Sequence, residues 1–97
     1  MSLNRRNPRR DANEPAIVKA LEQVGAIVKR ISAKGVADLL VLYKGRIYLL
    51  EVKMPKTGRM TPAQEETTAE GWPVTVVLDA YDALTAIGIL QDARRTA

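Results

Sequence analysis

Ninety-seven residues suffice for one domain with one core, because single cores run to roughly 100–150 residues before chains divide. The chain has neither cysteine nor histidine, which excludes disulfide staples, Cys/His zinc sites, serine triads, Cys-His proteolysis and nucleases that work through a histidine. The net charge of +4 is uneven: residues 1–10 hold four arginines and no acid, residues 29–59 hold eight basic residues against Asp38 and Glu51, and residues 60–92 hold six acids and no base. A polyanion-facing middle is expected from that asymmetry. Any metal must sit on carboxylates and carbonyls, which favours magnesium, manganese or calcium. The apolar runs fall far short of the ~20 residues of a membrane helix. No signal-peptide pattern precedes them, so the expected setting is the cytoplasm with no membrane partner.

In chain order, residues 1–11 lack periodicity and are expected to be a disordered basic arm ahead of a domain at 12–97. Arg5, Arg6, Arg9 and Arg10 fit a DNA-gripping arm or a tag-like tail. Asp11 to Glu14 has capping-box spacing, Pro15 suits a first turn, and Ala16, Ile17, Ala20, Leu21 and Val24 recur at helical spacing. They predict a helix over 12–24, stopped at Gly25. A short β-branched strand follows at 26–31 and a loop at 32–35. Residues 36–43 and 46–53 flank Lys44-Gly45 as a β-hairpin. After a loop, Thr61-Pro62 reads as an N-cap with proline at the first helical position, opening a helix to about residue 70. Trp72 is expected to pack in the turn before a strand at 74–78. A last helix is predicted from residue 80 to about 94. Its Leu84, Ile87, Ile89 and Leu90 cover more than one face, so they are expected to meet a second subunit in part. The order is α-β-β-β-α-β-α.

With Lys44 and Gly45 as the turn, Tyr43 pairs with Arg46 and partner numbers sum to 89. Asp38 then stands opposite Glu51, with Cβ atoms about 4.5–5.5 Å apart, and Lys53 points to the same face. The rest of that face is Leu40, Leu42, Ile47 and Leu49, so burial is expected for it. Two carboxylates that close repel and need a shared proton, a lysine or a divalent cation. On the residues alone two readings stay open, a metal site and a structural charge cluster.

Glu14, Gly35-Val-Ala-Asp38, Glu51-Val-Lys53 and Gly58-Arg-Met-Thr-Pro-Ala-Gln64 together resemble the VRR-NUC branch of the PD-(D/E)xK nuclease superfamily. The likeness spans about residues 13–84. It departs at Ala37, where many members carry proline. It implies an α/β, restriction-endonuclease-like core with a mixed sheet flanked by helices, and a Mg²⁺- or Mn²⁺-dependent DNA endonuclease. By position, it implies Asp38, Glu51 and the Val52 carbonyl as metal ligands and Glu14 in the acidic set, directly or through water. Lys53 would orient the attacking water and stabilise phosphate charge, and Gln64 would reach in from the second helix. Lys34, Lys56 and Arg59 flank this constellation as expected phosphate contacts. Stand-alone members resemble four-way-junction resolvases, which implies a homodimer acting on branched DNA in a bacterial or phage-infected cell. The competing class is a non-catalytic nucleic-acid-binding module with the same fold.

Overall fold

The computed structural model describes residues 12–31, 35–54 and 61–90. The expected arm at 1–11 lies outside them. Seven elements follow in the expected order: α1 (Glu14–Gln23), β1 (Ile27–Arg30), β2 (Leu39–Tyr43), β3 (Arg46–Val52), α2 (Pro62–Ala69), β4 (Val74–Val77) and α3 (Ala80–Ala86). The four strands form one mixed sheet in the order β1-β2-β3-β4, antiparallel except for the parallel β3–β4 pair. No helix among the described residues is long and apolar enough to cross a membrane.

The hairpin turn is the two-residue one. Lys44 and Gly45 take φ of 49° and 78°, as a type I′ connection requires, and glycine reaches that region without penalty. Tyr43 pairs with Arg46 and Leu39 with Leu50, so partner numbers do sum to 89. All side-chain alternation along β2 and β3 follows from that register.

Helices α1 and α3 cover one face of the sheet. Ile17, Val18 and Leu21 of α1 and Ala83 and Ile87 at α3 pack with Leu39, Val41, Leu50, Val52 and Val77 in a single core. The other face, which carries Leu40, Leu42, Ile47 and Leu49, was expected to be buried and is open instead: Ile27 is 57% exposed, Leu42 42%, Ile47 69% and Val76 44%. The reason is a shortage of helix. Only α1 and α3 carry apolar stripes, and α2, eight residues long, buries no side chain.

Four smaller expectations are corrected. Helix α1 starts at Glu14 with Asn13 as N-cap and no side-chain cap bond; Asp11 of the supposed capping box lies outside the described residues. Strand β2 starts at Leu39, three residues late, because Asp38 is spent on side-chain and backbone ties described below. Helix α3 ends at Ala86, since Gly88 donates to the Thr85 carbonyl at 3.0 Å and Ile89 to the Leu84 carbonyl at 2.9 Å, a Schellman closure. Trp72 is 55% exposed, its Nε1 donating to Glu70 at 3.1 Å.

Candidate active site

Because β1 and β3 run the same way and β2 runs against them, one end of the sheet collects the ends of β1, β3 and β4 and the start of β2. The first residues of α1 and α2 come to this end as well. Asp38 is held there by its backbone: its N–H donates to the Leu50 carbonyl at 3.0 Å and its carbonyl accepts from Ile31 at 2.8 Å. Its Oδ2 accepts the Val52 N–H at 2.8 Å. The aspartate thus extends the β1–β2 register by one pair with Ile31, leaves the β2–β3 register at Leu39–Leu50, and turns its carboxylate onto the strand that carries Glu51.

Glu51 is 4% exposed. Burial and then the neighbouring Asp38 charge hold its carboxyl above the ordinary carboxylate range, while Lys53 and the hydrogen bonds from Lys53 and Gln64 pull the other way. Lys53 Nζ lies 3.4 Å from Glu51 Oε2 and donates to Gln64 Oε1 at 2.9 Å. Gln64 Nε2 donates to Glu51 Oε2. The amide of Gln64 therefore links the ammonium to the carboxylate, oxygen toward one and nitrogen toward the other.

Gln64 can reach because its helix starts beside the site. Thr61 Oγ1 accepts the Gln64 N–H at 3.2 Å and Gln64 Oε1 accepts the Thr61 N–H at 2.9 Å, the capping box that the Thr-Pro start foreshadows. The helix is docked through Gly35. Thr67 Oγ1 donates to the Gly35 carbonyl at 2.5 Å, and a Cβ at Gly35 would come within 2.7 Å of the Ala63 Cβ. At φ +81°, only glycine permits both the conformation and the approach.

Glu14, implied as a member of the acidic set, is 2% exposed at the start of α1, and its Oε2 accepts from Arg30 Nε at 2.8 Å. The structure brings Asp38, Glu51, Lys53 and Gln64 into one network and seats Glu14 with Arg30 at the same end of the sheet. Among the described residues, no three metal-type side chains converge. Lys34, Lys56 and Arg59 lie outside those residues.

Sequence reasoning misses two residues. Arg30, opposite Leu39 across β1–β2 and half exposed, supplies the partner that the buried Glu14 carboxylate demands; the signal lay in Glu14, since Arg30 by itself reads as a surface arginine. Asn13 looks like a helix cap and does something else. Its Nδ2 donates to the Lys53 carbonyl at 3.1 Å and the Leu78 carbonyl at 2.6 Å, while its buried Oδ1 has no partner among the described residues.

The donor set is chemically suited to a hard divalent cation. Asp38 and Glu51 are neighbouring carboxylates, the ionised form of Glu51 being disfavoured by burial and then by the Asp38 charge, and Lys53 offsets this in part. Hard oxygens of this kind match Mg²⁺ or Mn²⁺.

No family model and no curated protein matches the chain. Among solved structures, a VRR-NUC domain aligns with a TM-score of 0.58 and 29% identity, over 76% of this chain and 88% of that one.

Proposed function

We propose that this chain, a VRR-NUC-like domain with a restriction-endonuclease-like fold, is a metal-dependent endonuclease that hydrolyses phosphodiester bonds in DNA. The observation that supports the reading is the Glu51–Lys53–Gln64 network with the Asp38 charge beside it.

Asp38, Glu51 and the Val52 carbonyl would hold Mg²⁺ or Mn²⁺, with Glu14 joining through water. When bound, such an ion lowers the pKa of a coordinated water and polarises a phosphate oxygen. The protein's own part is positional. Lys53, its ammonium fixed by Gln64 Oε1, offers a preorganised positive charge where the phosphate gathers negative charge. Asp38, pinned by the Val52 N–H, keeps its carboxylate beside Glu51 as substrate arrives. Lys34, Lys56 and Arg59 would supply phosphate contacts, which makes binding fall steeply with salt.

The finer reading is a cytoplasmic homodimer selective for branched or four-way-junction DNA. Its support is the open apolar sheet face, which a second copy of the same face can cover symmetrically. The test is cleavage of a labelled four-way junction beside matched duplex and single strand, with Mg²⁺ or Mn²⁺, EDTA and the Glu51→Gln protein. Cutting of the junction that disappears with EDTA and with the variant supports the reading. Binding of the junction without cutting any substrate replaces it with the non-catalytic module.

A further inference from the structure

Asn13 occupies the N-cap of α1, where a side-chain oxygen ordinarily accepts an N–H of the first turn. Here that oxygen is buried and idle among the described residues. The amide nitrogen instead spans two other elements: the Lys53 carbonyl just past β3 at 3.1 Å, and the Leu78 carbonyl just past β4 at 2.6 Å. The amide's orientation is unambiguous, because reversing it would set an oxygen against two carbonyl oxygens. Asn13 also directly precedes Glu14. One carboxamide thus joins the start of α1, the Lys53 backbone and the end of β4.

We infer that Asn13 is a positioning residue: it fixes the Lys53 backbone, and with it the lysine ammonium, relative to Glu51 and Glu14. The inference rests on the nuclease reading for its consequence in rate. Its physical content is independent of that reading. Asparagine is the short side chain that offers two N–H donors from one atom; serine and aspartate cap helices as well or better, and neither can make this double donation. A residue kept for capping would tolerate both replacements. A residue kept for the tether would tolerate neither.

The experiment uses the whole chain with Asn13→Ser as the main variant and Asn13→Asp and Asn13→Ala beside it. Amide hydrogen exchange is read at Lys53, whose N–H donates to the Val77 carbonyl at 3.1 Å, against Val41 and Leu50 in the core. Junction cleavage with Mn²⁺ is read as kcat and KM separately. The expected result is faster exchange confined to the Lys53 region and a kcat lower by on the order of 10–100-fold with KM unchanged, the effect of displacing a charge that must be in place. Wild-type behaviour of Asn13→Ser overturns the inference. So does faster exchange throughout the core with cleavage lost in proportion to folded protein, which marks a general structural residue. If the wild type cleaves nothing, the nuclease reading fails by itself. The exchange data then still decide the tether: a change confined to Lys53 upholds it, and no change or a global one removes it.

Discussion

The Asp38 carboxylate accepts the Val52 N–H at 2.8 Å, and its charge lies near enough to Glu51 to disfavour that neighbour's ionised form. The aspartate therefore has two duties, and substitutions separate them. Asp38→Asn keeps a carbonyl oxygen for the Val52 N–H while removing the charge, so it is expected to melt near the wild type and to lose at least about 100-fold in cleavage. Asp38→Ala leaves that N–H without its partner, and is expected to lose about 1–3 kcal/mol of stability as well. Chemical denaturation and cleavage assays on the two variants in parallel check this. Full cleavage by Asp38→Asn would remove Asp38 from the chemistry.

The Glu51 carboxyl is held above its ordinary range by burial first and by Asp38 second. The folded state thus binds this proton more tightly than the unfolded chain does. Stability contributed at this group is present at acid pH and is lost as pH rises from the ordinary carboxylate value through the raised one. Glu51→Gln, which cannot ionise, is expected to be more stable than the wild type at pH 7 and to lose that advantage on acidification below the ordinary carboxylate range. Thermal melts across pH 3–8, with EDTA present, measure the difference. Added Mn²⁺ should raise the wild-type melting temperature at pH 7 and leave Glu51→Gln unmoved, because only the native carboxylate pair binds the ion.

Helix α2 buries no side chain, so its place depends on Gly35, through the Thr67 hydroxyl and the close Ala63 approach. Gly35→Ala forces a left-handed conformation on a residue with a side chain, costing about 1–2 kcal/mol, and pushes Ala63 away. Gln64 moves with Ala63, and its bonds to Lys53 and Glu51 go with it. The expected outcome is a modest loss of stability with a disproportionate loss of cleavage. Thr67→Val should lose stability without the steric displacement. Equal effects of the two variants on activity per folded molecule would refute a role for Gly35 in seating Gln64.

Much of the site was legible because it is local. The Lys44-Gly45 turn fixes the register from Tyr43–Arg46 to Leu39–Leu50, which brings Asp38 into the neighbourhood of Glu51, although the Asp38 N–H bonds to Leu50 and the regular pairing stops short of it. The Thr61–Gln64 capping box lies within four residues. What was not legible depends on contacts distant in the chain. Asn13 reaches Lys53 and Leu78, 40 and 65 residues away, and nothing in its neighbourhood distinguishes a tether from a cap. The covered face of the sheet was equally hidden. Residues 39–42 are apolar without interruption, so alternation could not say whether Leu39 and Val41 or Leu40 and Leu42 turn inward. The helices decide, and they meet Leu39 and Val41.

That choice of face relocates the expected subunit contact. Leu84, Ile87 and Ile89 were expected to face a second copy in part, yet Ile87 is buried in the chain's own core and Leu84 and Ile89 pack against it; Leu90 alone of the four is exposed. Ile27, Leu42 and Ile47 form one rung across three strands of the open face, bordering an apolar hollow shared with Leu40. Each such side chain, fully covered, contributes about 1.5–3 kcal/mol, and a two-fold axis counts every contact twice. Ile47→Lys is therefore expected to convert a dimer to monomers in light scattering, without lowering the stability of the monomer, since Ile47 is mostly solvated there. Leu90→Lys is expected to leave the mass unchanged. If the dimer is also what presents two sites to a four-way junction, Ile47→Lys loses junction cutting while Leu90→Lys keeps it. The reverse pattern would put the interface on α3 and leave the open sheet face to another partner.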